Sequence, residues 1–150
     1  MKKITLILLL LSAFACSKKP KELRRSQIVG KWTNLTLMVT MNRYDQEDSV
    51  LRAHEKNWEE VLKIKPIISS FNEDGSFSSE YYNLQGELAQ TTTGTWDVRN
   101  DSLIIWTAAN ETAYHFTING DRVRFKATMD WDEDGLPDTY DAVQVRLPEQ

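Results

Sequence analysis

The stretch TAYHFTINGDRVRFKATM, residues 112–129, decides the fold of this chain. Apolar side chains occupy every second position on both sides of Asn119-Gly120, namely at Tyr114, Phe116, Ile118, Val123, Phe125, Ala127 and Met129. This alternation is typical of antiparallel strands with one buried face and one exposed face. Asn-Gly favours the positive-φ turn that joins two such strands. The stretch therefore predicts a β-hairpin whose apolar face points into a core.

The same alternation extends outward from this hairpin over most of the chain. Turn residues separate eight predicted strands, at 31–41, 65–71, 76–82, 89–98, 102–107, 112–118, 122–129 and 139–147. Sequential antiparallel strands in a small domain are closed most economically into a barrel, because closure removes the exposed edges. We therefore expect an all-β fold, an eight-stranded antiparallel up-and-down barrel.

One segment, residues 45–63, interrupts the strand pattern. Its apolar residues lie at helical spacing, and acidic residues and lysine fill the opposite side. The segment predicts one amphipathic helix inserted between strands 1 and 2. Such a helix would serve as a lid over one end of the barrel, or would plug that end or pack on its outside.

Short motifs resemble those of a known family. Gly30-Lys31-Trp32 looks like the Gly-x-Trp opening of lipocalins. The runs FNEDGSF (71–77), GTWDV (94–98) and DSLII (101–105) are similar to those of the small bacterial lipocalin-like lipoproteins. The resemblance covers most of the chain and implies a lipocalin-like barrel.

The composition excludes several classes of function. A length of 150 residues suits one domain with a real core. The formal charge of −4 argues against nucleic acid as a partner, since phosphate binders need a basic surface. A single cysteine excludes a disulfide scaffold and a cysteine-based metal cage. The chain has no Gly-x-Ser-x-Gly elbow and no glycine-rich phosphate loop, so we expect that it is not an enzyme.

The N-terminus resembles the signal of a bacterial lipoprotein. Lys2 and Lys3 precede an apolar run at 4–11, which is too short to span a bilayer. Ala13-Phe14-Ala15-Cys16 resembles a lipobox, in which the cysteine becomes the lipidated first residue. An ordinary signal peptide cut near Ala15 is the alternative. We predict a signal peptide at 1–15, a lipidated Cys16 with a polar tether at 16–27, and the barrel domain at 28–150.

The predicted lipidation indicates where in the cell the protein is located. Acyl chains such as palmitate on Cys16 would anchor it to a bacterial membrane of the cell envelope, and we expect the outer membrane.

Aromatic residues predict what the barrel could hold. If the barrel forms, a set of aromatic side chains points inward: Trp32, Phe77, Tyr81, Trp96, Tyr114, Phe116 and Phe125. They could line a pocket for a small apolar or amphipathic ligand, or they could fill the interior, because eight strands enclose little space. The first alternative predicts a ligand-binding protein. The second predicts a protein-interaction module that docks onto another envelope protein.

The acidic run DWDEDGLPDTYD, residues 130–141, predicts a structural Ca²⁺ site. Its spacing matches that of an EF-hand-type loop, with candidate ligands at Asp130, Asp132, Asp134, Leu136 through its carbonyl, Asp138 and Asp141. Alternate carboxylates can converge on one hard cation, and Gly135 allows the sharp turn. The flanking segments are strands, so a helix–loop–helix arrangement is not expected. The alternative is an acidic, solvated hairpin turn.

Overall fold

A computed structural model describes residues 20–148 of the chain. The predicted signal peptide and Cys16 lie outside the described residues. The elements are α1 (Pro20–Ile28), β1 (Gly30–Met41), β2 (Ser49–His54), α2 (Trp58–Leu62), β3 (Ile68–Phe71), β4 (Ser76–Tyr82), β5 (Leu88–Arg99), β6 (Ser102–Thr107), β7 (Glu111–Asn119), β8 (Arg122–Met129) and β9 (Asp138–Arg146). No helix in the described part is long and apolar enough to cross a membrane.

Eight of the strands close into a barrel. From β3 to β9 each strand pairs antiparallel with the next one in sequence, and β1 pairs with both β3 and β9. The closing register places Trp32 opposite Arg146 and Val39 opposite Tyr140. The predicted eight-stranded antiparallel up-and-down barrel is therefore confirmed.

The connection between the first two barrel strands contains a helix, but not over the predicted range. Only Trp58–Leu62 is helical, whereas Ser49–His54 forms the additional strand β2. The inserted helix is confirmed, but its predicted range of 45–63 is too long. The first half forms a strand because β3 pairs only with residues 30–33 of β1. The rest of that edge of β1 is available for pairing, and β2 occupies it, with Val39 opposite Leu51.

Helix α1 replaces most of the predicted polar tether. Ile28 at its end is fully buried among the side chains of the barrel interior. The Arg25 guanidinium lies 4.2 Å from the ring centre of Trp96 and 3.0 Å from the Asp97 carboxylate. Arg24 forms an ion pair with Asp101 in the turn between β5 and β6. Basic residues that the sequence places in a solvated spacer therefore hold α1 across one end of the barrel.

The larger cluster of buried side chains lies at the end of the barrel that α1 covers. Ten buried side chains form one cluster there: Ile28, Trp32, Phe71, Phe77, Trp96, Val98, Leu103, Phe116, Val123 and Phe125. A second cluster joins α2 to the other half of β1 through Leu37, Val39, Ala53, Trp58 and Ala142. A register shift between Asn34 and Thr36 in β1 separates the two clusters. Because the shift adds one residue, the inward positions change from even to odd numbers along β1.

Candidate functional site

The interior of the barrel contains a cavity of about 330 Å³ beside the ten-residue cluster at the α1 end, which we call the aromatic cluster. At its mouth lie Ala109 and Asn110, which are exposed in the turn between β6 and β7. Most strands of the barrel contribute to its wall. The lining residues are Asn34, Ile67, Ser69, Phe71, Phe77, Ser79, Tyr81, Thr92, Leu103, Ile105, Thr107, Ala109, Asn110, Thr112, Tyr114, Phe125, Met129, Tyr140 and Gln144.

The aromatic residues predicted to line a pocket divide into two groups. Those that line the cavity are Phe77, Tyr81, Tyr114 and Phe125. Trp32, Trp96 and Phe116 do not line the cavity; they belong to the buried cluster at the α1 end, and each is at most 2% exposed. Side chains therefore fill the barrel at its α1 end and leave it hollow towards the other end.

Two amides and two hydroxyls form the inner end of the cavity. Asn34 and Gln144 are cross-strand partners on β1 and β9, and they are only 5% and 7% exposed. The Asn34 Oδ1 and Gln144 Oε1 atoms are buried without a hydrogen-bond partner in the described part of the chain. Ser69 and Ser79 lie on β3 and β4, with their Oγ atoms 3.0 Å apart. We call these four residues the polar floor.

The amino-acid sequence does not reveal the polar floor, for two reasons. The alternation in β9 predicts that Val143 and Val145 face inward, but Tyr140, Ala142 and Gln144 do so. In β1, the register shift after Asn34 breaks the alternation of side chains, so the inward orientation of Leu37 does not predict that Asn34 also points inward. The signal that could have found Gln144 is its phase with Tyr140 and Ala142, which continues the inward face of the preceding strands.

Two of the tyrosines that line the cavity, Tyr114 and Tyr140, have hydroxyl groups with raised pKa values. Tyr114 packs edge-on against Phe125 and Tyr140, with ring centres 5.9 Å and 5.7 Å apart. Burial raises the pKa of the Tyr114 and Tyr140 hydroxyls, so both remain protonated and can donate hydrogen bonds. None of the residues that line the cavity is charged. The cavity can thus hold a small molecule by apolar contact and neutral hydrogen bonds.

The acidic loop brings three of its predicted ligands together. Carboxylate oxygens of Asp130, Asp132 and Asp138 lie within 4.8 Å of one another. Asp138 is fully buried and accepts hydrogen bonds from the backbone N–H groups of Asn42, at 2.9 Å, and Trp131, at 2.8 Å.

Two other predicted ligands do not join this group. Asp134 Oδ1 accepts a hydrogen bond from the backbone N–H of Leu136 at 2.8 Å. Asp141 accepts one from Arg124 Nε at 2.7 Å, and this bond lowers the pKa of its carboxyl group. Asp138 and Asp141 lie three positions apart on β9, so their side chains point to opposite faces of the sheet. Of the five predicted carboxylate ligands, the structure therefore brings three together.

Comparisons with known proteins leave the family open. No family model and no curated protein matches the chain. Among solved structures, the chain is similar to the siderocalin Ex-FABP, which is described as functioning through dual ligand specificities. That similarity has a TM-score of 0.47 at 16% sequence identity and covers 83% of this chain and 76% of that chain.

Proposed function

We propose that this protein is a lipid-anchored protein of the bacterial cell envelope that holds a small amphipathic molecule inside its barrel. The observation that carries the proposal is the cavity of about 330 Å³, which reaches the surface at Ala109 and Asn110. Ligand-binding pockets in proteins have volumes of roughly 300–1,000 Å³, so this cavity suits a small ligand.

The composition of the wall supports an amphipathic ligand. Phe77, Leu103 and Phe125 supply apolar contact area deep in the cavity. The polar floor at the inner end of the same cavity supplies hydrogen-bonding groups. Mostly apolar walls with a few placed polar groups are typical of small-molecule sites. The hollow part of the interior argues against the alternative of an interaction module with a fully packed barrel.

Two matched tryptophan substitutions on β7 test the proposal. Thr112 lines the cavity, whereas Thr117 is exposed on the outer face of the same strand. In a titration with the fluorescent apolar probe N-phenyl-1-naphthylamine, Thr112→Trp should weaken binding by about 10-fold or more, which corresponds to about 1.4 kcal/mol. Thr117→Trp should bind the probe as the parent does. Equal affinities of all three proteins, or no binding to the parent, would contradict a ligand site inside the barrel.

The lipid anchor is the second part of the proposal. It rests on the Ala-Phe-Ala-Cys sequence before α1. Three residues separate Cys16 from α1, and α1 covers the barrel end opposite to the mouth of the cavity. An anchor at Cys16 would thus leave the mouth facing away from the membrane. Cys16→Ser should move the protein from the membrane fraction to the soluble fraction. A variant that remains with the membranes would contradict lipidation at Cys16.

The third part of the proposal is that the loop between β8 and β9 binds Ca²⁺ with a structural role. It is supported by the three converging carboxylates of Asp130, Asp132 and Asp138. Sites of this kind in extracellular modules bind weakly, with dissociation constants of roughly 10⁻⁴–10⁻³ M. Ca²⁺ that binds only the folded state should raise the melting temperature.

A thermal melt in millimolar Ca²⁺ and in chelator tests this part. The parent and Asp134→Asn should be stabilised by Ca²⁺, because Asp134 lies outside the converging group. Asp132→Asn should lose most of the shift. No shift in the parent, or equal shifts in both variants, would leave an acidic turn without a cation.

A further inference from the structure

The polar floor contains two hydrogen-bond acceptors that nothing in the described chain satisfies. Asn34 Oδ1 and Gln144 Oε1 have no partner, and both residues are more than nine-tenths buried in the cavity wall. Buried polar atoms in native proteins almost always have a partner, because an unpaired acceptor loses its bonds to water without replacement. Two such atoms on neighbouring positions of β1 and β9 therefore indicate where a ligand's polar group binds.

The two serines add to this arrangement. Ser69 and Ser79 share one hydrogen bond between their hydroxyl groups, at 3.0 Å. One hydroxyl donates in that bond and the other keeps its own O–H, so the pair offers both lone pairs and a donor. The buried atoms of the floor that have no partner are the two amide oxygens, so the group that completes them is a hydrogen-bond donor.

The charge of the wall restricts that donor further. The residues that line the cavity include no lysine, arginine, histidine, aspartate or glutamate, and burial raises the pKa of the Tyr114 and Tyr140 hydroxyls. A carboxylate or an ammonium group at the floor would lose its hydration without gaining a counter-ion, which is costly.

Building on the proposed function, we infer that the cavity selects a neutral amphipathic molecule with a hydrogen-bond donor at its inner end, such as a primary alcohol or a primary amide. The donor binds Asn34 and Gln144, and the alkyl part lies against Phe77, Leu103 and Phe125.

Four ligands of matched length test this inference on the parent protein. The ligands are 1-octanol, octanamide, octanoate and 1-methoxyheptane, each titrated against bound N-phenyl-1-naphthylamine. The ether has nearly the size of the alcohol but lacks its donor. A site built around hydrogen bonds rejects an analogue that lacks them. We expect 1-octanol and octanamide to displace the probe at about 10-fold lower concentration than 1-methoxyheptane or octanoate. Equal displacement by alcohol and ether, or strongest displacement by octanoate, would overturn the inference.

Substitutions in the polar floor test whether its amides produce the preference for 1-octanol over 1-methoxyheptane. Asn34→Leu and Gln144→Met replace each amide with an apolar side chain of similar size, so they remove an acceptor without opening a void. Each should bind 1-methoxyheptane at least as well as the parent does and should reduce the preference for 1-octanol to about 3-fold or less. Gln90→Met makes the same chemical change as Gln144→Met at an exposed position of β5 that does not line the cavity, and it should keep the preference. Preference unchanged in both floor variants would overturn the assignment to the floor.

The outcomes also separate this inference from the function on which it rests. If all four ligands displace the probe equally and Thr112→Trp blocks binding, the cavity binds ligands but does not select a donor. If no ligand binds, and Thr112→Trp and Thr117→Trp behave alike, both the inference and the proposed function are wrong.

Discussion

The position of an aspartate along β9 decides which groups bind its carboxylate. Asp138 points inward, where two backbone N–H groups bind its carboxylate. Asp141 points outward, where Arg124 and Lys126 are its partners. The spacing of acidic residues predicts a single ligand set, but the alternation of side chains along β9 divides that set between two faces.

The ion pair of Asp141 predicts a pH dependence of stability. The hydrogen bond from Arg124 lowers the pKa of Asp141 below its ordinary value of 3.8 in the folded state. A lowered carboxyl pKa stabilises the folded state at pH values above the ordinary pKa. This contribution is lost as the pH falls through the lower pKa of the folded state. Asp141→Asn should therefore reduce the free energy of unfolding by about 0.5–1 kcal/mol near neutral pH.

Urea denaturation at several pH values checks this prediction. The difference between the parent and Asp141→Asn should shrink as the pH falls below about 4. Asp121→Asn is the control, because the Asp121 side chain forms no ion pair in the described chain. If the two variants lose stability equally at every pH, the ion pair contributes nothing.

At the scale of elements, Gly94 is required by the close approach of β5 and β6. A Cβ atom at this position would lie 1.9 Å from the backbone oxygen of Trp106, on a rigid neighbouring strand. Gly94→Ala should therefore destabilise the protein by about 2–4 kcal/mol. Gly86 has a φ of +83° but open space around it, so Gly86→Ala should cost only about 1–2 kcal/mol. Equal losses in thermal melts of the two variants would contradict the contact.

The elements also show how far the sequence could predict the structure. Residues 112–129 form the predicted hairpin, with Phe116 opposite Phe125, because its alternation is long and its turn is strongly marked. The run 45–63 is ambiguous, since the six residues 49–54 are too few to distinguish the period of a helix from that of a strand. Pairing with the free edge of β1 makes its first half a strand. That pairing depends on the assembled barrel, so the sequence of this segment alone does not predict it.

The candidate site shows the same limit. Inward aromatic residues could be predicted from alternation, and four of the seven do line the cavity. The depth of each residue along the barrel could not, since it depends on strand register and on the position of α1. The polar floor was missed because a register shift and a misread phase hide Asn34 and Gln144.

At the scale of the whole molecule, the two ends of the barrel have different roles. Helix α1 and the aromatic cluster close one end, and their ion pairs and ring contacts join the N-terminal segment to β5 and β6. The other end keeps the cavity open beside the turn between β6 and β7. The mouth of the proposed ligand site therefore lies at the end opposite to α1, so that attachment to a membrane ahead of α1 would leave the mouth accessible.

Methyl NMR of β6 during a titration with 1-octanol tests the central proposal most directly. Ile105 lines the cavity, whereas its neighbour Ile104 alternates to the other face of the strand and is absent from the lining. If the ligand binds inside the barrel, the methyl signals of Leu103 and Ile105 should shift with saturation, and those of Ile104 should change little. Saturable shifts at Ile104 with none at Leu103 and Ile105, or no saturable shift in any of the three, would contradict a ligand site inside the barrel.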